Sequence, residues 1–253
     1  SAVPAGTYHV YASKDANHPD TFVDSNVDIT ISAAGTGSAT INYYTLTIGL
    51  SNTTVTVNGT SVANNGTVEV LGGTTTTSSN YAHEIVATAS TGYTLSGTIW
   101  TANSGSPTIA SATSASTTVK VGAASKVTAS ATANTATINL NHAVNGVKVK
   151  LYTQAATPEA TTYTATFGAS DTSKTISAVP AGTYHVYASK DANHLDTFVD
   201  TNVDITISSG TGSATINYYT LTIGTATGTM TLSSTRLRLS VSFLQISISL
   251  QYH

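Results

Sequence analysis

Residues 1–49 return almost unchanged at 177–224. The offset is 176 residues, and it falls to 175 where Ala33 and Ala34 are answered by the single Ser209. Otherwise only Pro19 (Leu195) and Ser25 (Thr201) differ, so 45 of 48 aligned positions are identical. Unrelated folding needs do not reproduce a sequence at that level. The chain therefore reads as a window on a tandem array with a period near 176 residues. That period is too long for a solenoid coil and suits two small domains, here called A and B. On this reading, 1–42 is the C-terminal half of an A, 43–133 a complete B, 134–217 a complete A, and 218–253 the truncated start of another B.

The pattern within the repeat predicts strands. Ala136, Ile138 and Leu140 alternate with Thr135, Thr137 and Asn139. Val147, Val149 and Leu151 do the same, as do Tyr184, Val186 and Ala188, and Val203, Ile205 and Ile207. Asn145-Gly146, Pro180-Ala181-Gly182 and Gly210-Thr211-Gly212 punctuate them as turns. One apolar and one polar face per strand suit antiparallel sheets packed as sandwiches. The predicted fold class is all-β, with tandem small antiparallel β-sandwich domains. Composition agrees: Thr (50) and Ser (31) make up about a third of 253 residues, and Glu occurs only three times, too seldom for a helical protein.

Composition also removes function classes. Without cysteine there is no disulfide framework and no thiolate metal site. Nine Lys+Arg against twelve Asp+Glu supply no basic stripe for nucleic acid. No apolar run approaches the ~18 residues that span a bilayer, so no membrane insertion is expected. A content of 40% hydrophobic residues argues against disorder.

At the A-to-B junction the alternation changes phase between Tyr218 and Tyr219, and between Tyr43 and Tyr44. A one-residue phase change exchanges the faces of a strand. No Gly/Pro linker intervenes, so one strand is expected to leave A and enter B almost directly. After Gly224 the repeat breaks: the segment 225–253 carries both arginines (Arg236, Arg238) and the only Met (Met230). Its Leu237, Leu239, Val241 and Phe243 still alternate and could pair as strands, while its composition favours out-of-frame or unrelated sequence joined to a truncated repeat.

Domain A resembles the transthyretin-like β-sandwich of carboxypeptidase-regulatory-like and collagen-adhesin B-type repeats. The resemblance is carried by Val144–Leu151 (VNGVKVKL) and Ile176–Val186 (ISAVPAGTYHV), the latter with the family's Pro-x-Gly-x-Tyr strand entry. Domain B resembles the divergent internalin B-type (Listeria–Bacteroides) repeat through Gly66–Val70, Gly92–Gly97 and Val119–Ala129. That family places Trp directly after the glycine matching Gly97, whereas here it is delayed to Trp100. Both resemblances imply repeat modules of bacterial adhesins and cell-wall proteins, hence an extracellular, cell-surface location. The collagen-adhesin resemblance also raises a Lys–Asn isopeptide bond, for which Lys148, Lys150 and Asn217 are at hand. The acid such a bond needs is replaced by Ala188, and by Ala12 in the other copy, so the bond is not expected.

The acids are concentrated. Asp15, His18, Asp20, Asp24 and Asp28 recur as Asp191, His194, Asp196, Asp200 and Asp204. Hard oxygen ligands of this kind could hold Ca²⁺, or a His could join them on a transition metal, but the spacing matches no EF-hand or repeat-in-toxin loop. A solvated loop that keeps a weakly charged surface soluble is the plainer reading, and no cofactor is expected. His9 beside Tyr11, and His185 beside Tyr187, form outward strips that could stack on sugars or simply pack across strands. No G-x-S-x-G frames any Ser, so no catalytic triad is indicated. The Thr74–Thr77 run lacks the ranked period of an ice-binding surface. Asn52, Asn58 and Asn65 sit in N-x-[ST] sequons and are expected on surface loops. The reading that follows is a non-enzymatic stalk or spacer of a bacterial surface adhesin, with a glycan-binding module as the alternative. Partners would be a host or cell-surface glycan or protein, reached through other parts of the parent, and truncated edges could self-pair.

Overall fold

A computed structural model describes residues 3–73, 79–222 and 247–250. The chain divides into two compact units, Ser1–Thr132 and Ala133–His253. Thr74–Thr77, Met230, Arg236 and Arg238 lie outside the described residues.

The first unit opens with a hairpin of β1 (Gly6–Ser13) and β2 (Phe22–Ile31). Module B follows: β3 (Asn42–Ser51), β4 (Thr53–Val57), β5 (Thr60–Val62), β6 (Gly66–Gly72), a 3₁₀ turn at Ser79–Tyr81, β7 (His83–Ala89), β8 (Tyr93–Thr94), β9 (Trp100–Ser104), β10 (Thr108–Ile109), β11 (Ser116–Lys120) and β12 (Ser125–Ser130). Two sheets, ordered β6-β3-β12-β9 and β10-β11-β7-β4-β5, meet face to face. Leu46, Ile48, Val70, Trp100 and Val127 from the first interleave with Val55, Val57, Ile85 and Val119 from the second. Trp100 is fully buried and donates its indole N–H to the Ser114 carbonyl at 2.8 Å.

A short β13 (Thr132–Ala133) leads to module A: β14 (Thr135–Leu140), β15 (Lys148–Thr153), β16 (Ala160–Thr166), β17 (Ser173–Ser177), β18 (Gly182–Ser189), β19 (Phe198–Ile207) and β20 (Thr211–Ile216). Its sheets are β17-β14-β20 and β16-β15-β18-β19. The apolar phases read from the sequence face inward, with Ile138, Val149, Leu151, Val186 and Ile205 fully buried in one core. Only Asn217 and Tyr218 separate β20 from β21 (Tyr219–Thr222), which pairs with β22 (Ser247–Leu250).

The alternation predicts antiparallel sheets, and the structure departs from this at one place in each module. In B, the first strand β3 and the last strand β12 are parallel neighbours, from Leu46↔Ser125 to Ser51↔Ser130. In A, the first strand β14 and the last strand β20 are parallel neighbours, from Thr135↔Thr211 to Leu140↔Ile216. The reason is topological: when the intervening strands number enough to bring the chain back in the same sense, the closing strand runs beside the opening one as a long crossover. The chain thus enters each module at one end and leaves at the other.

A second departure is a bulge. Opposite Val10/Tyr11 the register jumps past Ser25-Asn26, and opposite Val186/Tyr187 it jumps past Thr201-Asn202. Each Asn takes a left-handed φ of 51°, a region Asn tolerates better than most residues. Each preceding hydroxyl donates to the facing carbonyl at 2.6 Å, Ser25 to Val10 and Thr201 to Val186. The Ser25/Thr201 difference between copies therefore keeps the bond that the bulge needs.

Candidate functional site

The duplicated acidic loop is where the sequence concentrates its charge. In the first copy, Asp15 follows β1 and folds the chain back on itself. Its Oδ1 accepts the backbone N–H of Asn17 (2.8 Å) and of His18 (3.0 Å), and the His18 ring sits at 2.9 Å from the same oxygen. This is an Asx-type turn, in which a short carboxylate mimics a backbone acceptor.

The loop lies on module B. Asp15 bridges Val70 of β6, with Ala16 N–H donating to the Glu69 carbonyl (2.9 Å) and Leu71 N–H to the Lys14 carbonyl (3.0 Å). The remaining carboxylate oxygen, Asp15 Oδ2, accepts from the Asn58 side-chain amide at 2.5 Å. Asn58 and Gly59, both at left-handed φ, form the two-residue turn between β4 and β5. The other side of Asn58 is gripped by β7: its Oδ1 accepts Glu84 N–H at 3.0 Å.

Behind Asn58 stands His83, fully buried. Its Nε2 lies 2.7 Å from the Leu71 carbonyl, which can only accept, so Nε2 carries the proton. Its Nδ1 is then a lone pair and accepts from Asn58 Nδ2 at 3.1 Å. Both amide hydrogens of Asn58 are thus used, one by a carboxylate of A and one by an imidazole of B. Burial pushes the His83 pKa down, the Leu71 carbonyl opposes this, Lys14 lowers it further and Asp15 raises it. Burial alone would raise Asp15, but the bonds from Asn58, His18 and Asn17 outweigh it and hold the carboxyl below its usual range. A small apolar contact surrounds the clasp: Ala12, Val23 and Ile41 pack on Leu71 and Tyr81, and the Tyr81 hydroxyl donates to the Ser25 carbonyl at 2.7 Å.

The second copy builds the same loop. Asp191 Oδ1 accepts Asn193 and His194 N–H at 2.8 and 3.0 Å, with the His194 ring at 2.9 Å. What differs is cover. The Asp191 side chain is 10% exposed against 1% for Asp15, and that of His194 is 59% against 30% for His18.

The other acids disperse. Asp24 and Asp200 cap the bulge by accepting Asn26 and Asn202 N–H at 2.8 Å. Asp28 pairs with His9 at 2.5 Å and Asp204 with His185 at 2.8 Å across their hairpins. Asp20 is exposed, and Asp196 takes Lys148 Nζ at 2.5 Å. Among the described residues no three His, Asp or Glu side chains gather as a metal-binding set would. The reason is geometric: Asp24 and Asp28 lie along β2, opposite Tyr11 and His9, while Asp15 turns inward at the far end of the loop. Lys148 is paired to Asp196, Asn217 is exposed, and Ala188 lies in the core. The Tyr/His strips differ between copies: Tyr187 stacks on Tyr152 with centroids 3.9 Å apart, whereas Tyr11 has no such ring neighbour among the described residues and is 61% exposed. Asn52, Asn58 and Asn65 all occupy left-handed turns, but Asn58 is no free surface residue, since its amide is spent in the clasp. Sequence reasoning missed Asn58, His83, Leu71 and Tyr81 as joint residues. The Asn-Gly dipeptide was the one signal present, and it marks a turn without saying what the turn touches.

No family model matches the chain, and no curated protein matches it. Among solved structures, the Bacillus anthracis TIE protein is similar at a TM-score of 0.30 and 9% identity, over 86% of this chain and 49% of that one. The chain thus spans about half the length of that structure, and a likeness at this score supports no argument about function.

Proposed function

We propose that the chain is a non-enzymatic spacer segment of a bacterial cell-surface adhesin, built to carry tension between whatever lies at its two ends. The observation that carries this reading is the parallel pairing of first and last strands in both complete modules. Tension applied at the two ends of such a module pulls neighbouring strands past each other along their length. The bonds of the six-residue ladder then share the load together, rather than opening one at a time. Both ladders are sheathed by buried side chains, Leu46, Ile48, Val127 and Ala129 in B and Ala136, Ile138 and Ile216 in A. The direct passage from β20 to β21, with only Asn217 and Tyr218 between them, adds stiffness, and the clasp ties the first hairpin to B across residues 32–41, which form no strand.

Single-molecule pulling tests this reading. The chain has no cysteine, so attachment points can be placed at will. Anchors at Thr135 and Ile216 load β14 and β20 in shear. Anchors at Thr135 and Ser177, which face each other across an antiparallel pair, open that pair bond by bond. The expected result is a clearly higher unfolding force in the first geometry. Equal forces would remove the mechanical basis of the spacer.

A further inference from the structure

We propose that the loop at 190–194 is a docking surface for a B module, and that its occupant is a module of sequence 43–133 placed directly after residue 217. The inference rests on the spacer reading in taking the chain as part of an alternating array. Three observations converge on it.

First, the same loop already holds a B module elsewhere in the molecule. Residues 14–18 and 190–194 are identical (KDANH), and their internal hydrogen bonds agree. In the first copy this loop binds B by a backbone edge, Lys14–Ala16 against Glu69–Leu71, and by Asp15 on the Asn58 amide. Second, the chain leaves A beside the loop in both copies. The Tyr43 hydroxyl donates to the Ser13 carbonyl at 2.6 Å, and the Tyr218 hydroxyl to the Ser189 carbonyl at 2.6 Å. A module begun at Tyr218 therefore starts from the position that Tyr43 occupies, and Tyr218–Gly224 repeats the sequence of 43–49. Third, the surface is presented: Lys190, Ala192, Asn193 and His194 are exposed, and Asp191 is less covered than Asp15.

The surface selects its partner by chemistry. It offers one strand-edge carbonyl and N–H with a carboxylate between them. A B module answers with a strand edge and an Asn-Gly turn whose amide has one hydrogen to spare. The apolar part of the first joint does not transfer, because Ala188 and Ile216, the counterparts of Ala12 and Ile41, are buried in the core of A. The second joint is the loop alone, which favours a covalently attached module over a free one.

The test extends the chain, joining residues 1–217 to a second copy of 43–133. Ala16 and Glu69 face each other in an antiparallel pair, a spacing that admits a disulfide. Ala16→Cys with Glu69→Cys in the resident B serves as reference. Ala192→Cys with Glu69→Cys in the appended B reads the new joint. The new pair should close within the monomer at a rate comparable to the reference. Asp191→Asn keeps the turn acceptor but sets an amide against the incoming amide, and should slow closure about tenfold or more, as loss of a bond to a charged group implies. A reference pair that closes while the new pair stays open would overturn the proposal, as would closure indifferent to Asp191→Asn. The pulling comparison between β14 and β20 involves neither loop, so the spacer reading stands or falls separately.

Discussion

Residues 6–41 and 182–216 are nearly the same sequence in different company. Both fold the hairpin, with the same bulge, the same His–Asp pair and the same Asx turn. They part at the last segment. Residues 211–216 form β20 against β14, whereas residues 37–41, of the same sequence as 212–216, form no strand. The turn before that segment survives in both, with Ser32 N–H donating to the Thr36 carbonyl (3.0 Å) and Ser208 N–H to the Thr211 carbonyl (3.1 Å). An antiparallel hairpin carries its partner with it, while a parallel strand depends on a partner from the far end of the module. Propensity alone does not make a strand of Gly-Ser-Ala-Thr-Ile; the neighbour does.

The comparison sharpens most in the core. Tyr184 is 9% exposed and Tyr8 38%, and Ile205 is fully buried while Ile29 is only partly covered. Ile205→Ala should destabilise module A by about 2–5 kcal/mol, whereas Ile29→Ala should cost well under half as much. Amide hydrogen exchange resolved by segment measures both, and equal losses would show that the two hairpins are equally packed.

Acidification should separate the units next. The His83 pKa is depressed, so the unfolded chain binds its proton first. The contribution is neutral above about 6.5 and turns destabilising as pH falls below that value. A proton on Nδ1 would face the Asn58 amide, removing the bond that aims Asn58 at Asp15 while Lys14 adds like charge. The Asp15 carboxyl, also paired with His18, is depressed, so its contribution persists until pH drops below about 3.8. The Asp191 carboxyl follows the second pattern with no buried histidine beside it. Trp100, the only tryptophan, reports on B alone. Its thermal midpoint should begin to fall below about pH 6.5, and His83→Gln should flatten that dependence between pH 6.5 and 4.

How much of this was legible beforehand follows from what side-chain patterns encode. Alternation identifies faces, so the buried rows Ala136-Ile138-Leu140 and Val147-Val149-Leu151 were readable residue by residue. It does not encode direction or neighbour, so the β3–β12 and β14–β20 pairings were not. The bulge had a signature in Asp-Ser-Asn and Asp-Thr-Asn, but that signature is as easily a loop. The clasp joins residues 15, 58 and 83, which no local spacing connects. The acids that looked like one cluster in the sequence share a segment and little else.

A smaller effect separates the junction tyrosines. Both hydroxyls make a 2.6 Å bond to a serine carbonyl, but Tyr218 is fully buried and Tyr43 is exposed. Burial pushes the Tyr218 phenol well above the ordinary range. Tyr218→Phe leaves a buried carbonyl short of a donor and should cost about 1–3 kcal/mol, while Tyr43→Phe should cost about 0.5 kcal/mol or less. Smallest of all should be chelation: with no convergent ligand set among the described residues, thermal midpoints in calcium and in chelator should coincide.

The central claim is that the closing strand of module A, β20, exists only through its parallel partner β14. Hydrogen exchange read by mass spectrometry tests it directly, because peptides spanning Ala33-Ala34 or Ser209 tell the two copies apart. Amides of 211–216 should exchange slowly and those of 36–41 rapidly, and joining a copy of 134–176 ahead of residue 1 should slow the latter to match. Equal protection of the two segments in the present chain, or rapid exchange at 36–41 after that addition, would contradict the account.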